Sequence, residues 1–322
     1  MMEIRTDLAL ETKERFEKDN VEIKGVVIEE EKLDMECKLT TVKIETENGA
    51  KIMGKPKGSY ITLDAPEMTE DDEEYRKYVA NEFAEILRTL FPRPVRELSV
   101  LVVGLGNRDV TPDSLGPRVV DQISMNRHLV KEFGKDVFGW EEECQISGMV
   151  PGVMAQTGME SQEIILGVMK ETKPNLVIVV DALAARSAKR LNRTIQVSDA
   201  GIAPGSGVGN HRQAINKESL GVPVISVGIP MVVDAVTIVN DTMWNLLDAL
   251  SSDKRSADFC DSLKKFHENE KQELIRELLS PGLNSMFVTP KDVDESVRRV
   301  SRMLASGIEI ALGTAADEAM AG

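Results

Sequence analysis

Three segments of this chain are continuously apolar and rich in β-branched residues: LSVLVVGLGN (98–107), NLVIVVDALAA (175–185) and VPVISVGIP (222–230). A half-exposed strand alternates apolar and polar residues. A segment apolar on both faces belongs in the centre of a parallel sheet covered by helices. Amphipathic stretches at 117–131, 158–172 and 232–250 alternate with these runs. The order predicts an α/β fold, with a mostly parallel central sheet flanked by helices.

Either side of this core the texture differs. VEIKGVVIEE and KLTTVKIETE, within a β-rich subregion at 20–62, alternate as half-buried antiparallel strands do. The acidic stretch TEDDEEY (69–75) suits the positive end of a helix running to about Leu90, where Phe91-Pro92-Arg93-Pro94 stops it. SMFVTP (285–290) reads as a short strand and 291–312 as a closing helix. A charged helical insertion is expected at 252–280, and a frayed tail at 314–322.

The net charge is −15, which argues against a broad phosphate-binding surface and so against direct nucleic-acid binding. Cys37, Cys144 and Cys260 are odd in number and far apart, which suits a reducing compartment. No apolar run reaches the roughly 18 residues of a membrane helix. The N-terminus is charged from its third residue and has no apolar signal core. A cytoplasmic protein is expected.

In open α/β sheets, ligands gather outside the carboxyl ends of the strands. Three unusual loops are placed there. The first runs from Gly104-Leu105-Gly106-Asn107 to Asp113-Ser114-Leu115-Gly116-Pro117, with Asp113 near a helix start. The second holds Asp181, directly after the run VIVV. Taken alone, Asp113 reads first as a cap for the following helix, and Asp181 reads as a cap for the short ALAARS turn as readily as a functional group. Together they suggest more, because two carboxylates in contact cannot both ionise easily. One then activates water while the other, protonated, acts on an amide carbonyl.

The third loop, 198–210, carries Gly205, Ser206, Gly207 and Gly209 after the strand-like TIQV. It reads either as an ordinary flexible loop or as a cradle of backbone N–H groups for a substrate or oxyanion. Asn107 is a further candidate for that role. The stretches 149–154 and 156–158 could wall the same site. His128, His211 and His267 lack metal-ligand spacing, and His211 alone is expected near the site. Ser206 lies outside a G-x-S-x-G elbow, and GLGN lacks the third glycine of a dinucleotide fingerprint. LVVGLGN and NRHL superficially resemble peptidyl-tRNA hydrolase, but that activity wants a basic face.

The stretches VVGLGN…VTPDSLGP, VPGVMAQTGMES, VVDALAARS, SDAGIAPGSGVGNHR and GIPMVVDAVTI, with SMFVTPKDVD later, resemble the germination protease family. The core resembles a phosphorylase/hydrolase-like fold and the hydrogenase maturation proteases. The resemblance implies an atypical aspartic endopeptidase without a metal or other cofactor. Its essential aspartates fall on Asp113 and Asp181. It implies a homotetrameric zymogen that processes itself in the forespore and later degrades small acid-soluble spore proteins. That family cuts after an acidic residue, before a large apolar residue followed by alanine and, two positions later, glutamate. Asp7-Leu8-Ala9-Leu10-Glu11 matches, so a propeptide of residues 1–7 and a catalytic domain of 8–322 are expected. The same residues also read as a plain helix start. The main alternative is a metal-dependent protease of hydrogenase-maturation type. A non-catalytic acidic protein that stores spore proteins is another.

Overall fold

The computed structural model describes residues 7–12, 23–135, 144–205, 212–251 and 286–314. Its strands are β1 (Val26–Lys32), β2 (Lys38–Ile44), β3 (Gly58–Asp64), β4 (Ser99–Gly104), β5 (Gln145–Met149), β6 (Leu176–Ala185), β7 (Thr194–Ser198), β8 (Val224–Asp234) and β9 (Phe287–Val288). They form one mixed sheet in the order β1-β2-β3-β7-β8-β6-β4-β5, with β9 on β8. The three apolar runs supply β4, β6 and β8, which pair in parallel as expected. The N-terminal strands pair antiparallel and join the same sheet through β7.

Alternation along each central strand explains the two layers. Val100, Val102, Ile178 and Val180 face one core, with Phe83, Leu87, Val300 and Leu304 packed against them. Leu101, Val103, Val177 and Val179 face the other, which includes Ile165 and Leu220. Helices Glu73–Thr89 and Val293–Leu312 therefore cover one face, and helix Ser161–Thr172 the other. Asp72 caps the first of these by accepting the Tyr75 N–H. Cys37 and Cys144 are buried, and burial pushes the Cys37 thiol pKa up.

Two boundaries differ from the sequence reading. The stretch 117–131 is not one helix but two, Leu115–Val120 and Arg127–Phe133. Between them the Ser124 N–H is taken by Glu309, and Asn126 turns its amide onto Cys144 and Ile146 of the β5 segment. Stretch 232–250 begins as strand, since β8 continues to Asp234 before helix Ala235–Ser251 starts. Among the described residues no helix is long and apolar enough to cross a membrane. The 252–280 insertion, Cys260, and the tail beyond Thr314 lie outside the described residues.

Candidate active site

Glycines seat the first loop. A Cβ on Gly104 would stand 2.2 Å from the Gly116 carbonyl oxygen, and one on Gly116 would stand 2.4 Å from that of Val180. Only bare backbone lets the chain after β4 and the helix at 115–120 approach the sheet this closely. Gly106 then turns with φ +114. The chain returns through the 3-10 turn Thr111–Asp113. Asp113 does not cap the following helix. Its Oδ2 accepts the Asn107 N–H at 2.8 Å. Asn107 Oδ1 accepts from the Asp109 N–H and from Gln156, which ties the loop to helix Met154–Thr157.

Asp181 is not at a strand end. β4 pairs with β6 only as far as Gly104 and Val180. β6 continues beside β8 to Ala185, so Asp181 lies inside the strand just beyond where β4 has left it. It is 7% exposed, and its Oδ1 accepts the Ala182 N–H at 2.9 Å. The reading of Asp181 as a cap for a short turn is therefore replaced by a buried carboxyl within a sheet.

Burial pushes both carboxyls upward. For Asp113 it outweighs the Asn107 N–H, which favours the anion. Asp181 rises well above the usual carboxylate range, from burial first and then from the charges of Asp113 and Asp7. Two carboxyls that interact in this way titrate as a pair.

Asp7, Asp113 and Asp181 line one cleft of about 390 Å³. Gly152 and Met154 contribute to its wall, and Gly205 brings one predicted loop residue to it. Ser206, Gly207, Gly209 and His211 lie outside the described residues, as do residues 1–6.

The segment beginning at Asp7 is docked in detail. The Asp7 N–H donates to the Ala184 carbonyl at 3.0 Å, and its carboxylate accepts the Ala184 N–H at 2.9 Å. Leu8 is fully buried with Leu183, Ala185 and Ile202. Ala9 packs among Val42, Ile44, Met53 and Tyr60. The buried Glu11 carboxylate accepts the N–H groups of Arg186 and Ser187 at 2.7 and 2.9 Å, with Arg190 at 3.7 Å.

Sequence reasoning passed over Lys55 and Gln196. Both donate to the Asp7 carbonyl oxygen, at 2.9 and 3.1 Å. Gln196 had one available signal: it is a polar residue in the middle of the β-branched run TIQV, and all five residues of β7 are buried. Lys55 gave none, because its contact needs the fold. Among the described residues, no three His, Cys, Asp or Glu side chains converge as a metal site.

The germination protease family profile matches residues 2–262 and 248–322. A germination protease of Caldanaerobacter subterraneus is 47% identical over 310 residues, covering 96% of this chain and 94% of that one. A germination protease of Clostridium perfringens is 44% identical over 314 residues, covering 97% and 96%. A solved [NiFe] hydrogenase maturation protease, HycI from Thermococcus kodakarensis, aligns over 70% of this chain and 99% of its own, with 16% identity and a TM-score of 0.32.

Proposed function

This chain belongs to the germination protease family, and from that premise we propose that it is an aspartate-dependent endopeptidase acting on small acid-soluble spore proteins. It is made as a zymogen in the cytoplasm of the forespore, assembles as a homotetramer, and cuts itself between Asp7 and Leu8. The observation that carries this reading is the meeting of Asp7 with Asp113 and Asp181 in one cleft.

The two carboxyls divide the work by their surroundings. Asp113, whose anion is favoured by the Asn107 N–H, takes a proton from water. Asp181, kept protonated by burial and by its neighbours' charge, gives one to the leaving nitrogen. Paired carboxyls with pKa values pushed apart suit an acid and a base acting together.

Subsites follow from the docked segment. The Ala184 N–H receives the acidic residue before the cut. Leu183, Ala185 and Ile202 receive the large apolar residue after it. The N–H pair at Arg186 and Ser187 receives the glutamate. The chain's own Asp-Leu-Ala-Leu-Glu thus serves as the template for a substrate in trans.

The test is Asp113→Asn and Asp181→Asn in the full chain. Each variant should fold yet leave both the N-terminus and an acid-soluble spore protein uncut. Cleavage surviving in either variant at more than a few per cent of the parent rate would remove the mechanism.

A further inference from the structure

We propose that Lys55 and Gln196 form the pocket that holds the carbonyl oxygen of the bond being cut and stabilises it as it becomes an oxyanion. This deepens the reading above and rests on Asp7–Leu8 being the scissile bond.

Two donors meet on one oxygen. Lys55 Nζ stands 2.9 Å from the Asp7 carbonyl oxygen and Gln196 Nε2 3.1 Å from it. The orientation of the glutamine is fixed by its other end, since Gln196 Oε1 accepts the Ala9 N–H at 2.8 Å. One amide therefore grips the chain on both sides of the Asp7–Leu8 bond. An amide with both ends engaged cannot flip.

The sheet places this pocket opposite the carboxyls. Asp181 pairs with Gly228, and Gly228 pairs with Gln196, across β6, β8 and β7. Paired residues share a face, so Asp181 and Gln196 are separated by two strand spacings, roughly 10 Å. The residue between them has no side chain. A Cβ there would stand 2.5 Å from Leu183 Cγ, against the seat of Leu8. Asp7 and Leu183 line both the carboxylate cleft and the neighbouring cavity that holds Lys55 and Gln196. Asp7, whose carbonyl Lys55 and Gln196 hold, thus borders both.

Backbone geometry aims the lysine. Gly54 closes helix Glu47–Met53 in the left-handed conformation, φ 63, and its N–H returns to the Ala50 carbonyl. The Lys55 N–H goes to the same carbonyl. The side chain then leaves the helix end toward Asp7. Burial pulls the Lys55 pKa down, and the charges of Asp7 and Glu11 oppose that fall.

The chemistry balances with these groups. Water oxygen bonds to the Asp7 carbonyl carbon while its proton passes to Asp113. The C=O electron pair moves onto the oxygen, facing Lys55 and Gln196. Collapse re-forms C=O, breaks the C–N bond, and the Leu8 nitrogen takes the Asp181 proton. A proton moving from Asp113 to Asp181 restores the pair. Donors preset at the oxyanion cost no reorganisation during the reaction.

The experiment uses the full chain, with the appearance of an N-terminal Leu8 after acidification as the rate. Hydrogen exchange at Asp7 and Ala9 reports whether the segment is docked. Lys55→Met should slow cleavage by about 100- to 1000-fold, the usual effect of removing one oxyanion donor, with exchange protection kept. Lys55→Arg should recover to within about tenfold of the parent, since the charged donor remains. Gln196→Glu, which replaces the donor with an acceptor, should be slow as well, and it carries the test should Lys55→Met not fold. Parent rates in Lys55→Met and Gln196→Glu overturn the proposal while leaving the carboxylate mechanism intact. Slow cleavage accompanied by lost protection also overturns it, since Lys55 would then only dock the segment. A parent chain that never yields Leu8 removes the cleavage reading itself and this pocket with it.

Discussion

Gly106 lies directly against Asp113: a Cβ at residue 106 would stand 1.9 Å from the Asp113 carbonyl oxygen. With φ at +114, the position is closed to other residues on two counts. Gly106→Ala should therefore shift Asp113, and the added Cβ would also crowd its carboxyl carbon at 3.3 Å. A displacement near 1 Å can cost about 100-fold in rate, and strain of this kind costs about 1–3 kcal/mol. Self-cleavage rate and urea midpoint, measured together, check both effects. A rate within twofold of the parent would show that Asp113 is not held by this contact.

Glu11 should matter more than a surface carboxylate. Its side chain is buried and accepts the Arg186 and Ser187 N–H groups. Glu11→Ala leaves those donors and Arg190 without that acceptor, and breaking a buried charge pair costs about 3–5 kcal/mol. Residues 7–11 should undock. The expected results are loss of cleavage at Asp7–Leu8 and rapid trypsin cutting at Lys13, read by mass spectrometry.

The folded pKa of Asp181 is raised above its ordinary 3.8. The folded chain therefore holds a proton that the unfolded chain releases. Stability from this group is full below the unfolded value and is lost as pH rises through the folded one. Asp181→Asn keeps the shape and removes the titration. The variant should resist urea better than the parent at pH 8, and the gap should shrink toward pH 5. Equal midpoints at both pH values would contradict the raised pKa.

Asp72 offers a contrast. It caps helix Glu73–Thr89 through the Tyr75 N–H at 2.9 Å, away from the cleft. Asp72→Ala should lower stability by about 1 kcal/mol and leave the cleavage rate unchanged at 25 °C. A large loss of activity would mean that this helix is coupled to the site.

The central strands were legible because burial on both faces demands uninterrupted apolar runs, and β4, β6 and β8 have them. Their ends were less so. Asp181 reads as a stop after VIVV, yet pairing with β8 carries β6 four residues further. A strand ends where its partner ends, and the local sequence does not encode the partner's length. The break in 117–131 had the same cause, since it depends on Glu309 from the distant helix 293–312 and on the Asn126 side chain. Asp113 and Asp181 could be found as carboxylates at loop and strand positions. The contacts of Lys55 and Gln196 with residue 7 could not, because 48 and 189 positions separate the partners.

Residues 7–11 are gripped by strands of their own polypeptide, through Ala184, Gln196 and the turn at Arg186–Ser187. On the cut proposed above at Asp7–Leu8, such a scaffold would make maturation unimolecular. Its half-life should be the same in a dilute tube as in a crowded cell, because no second molecule has to be met. Timing is then set by conditions inside each molecule, and diluting the protein a hundredfold should leave the clock running at the same speed.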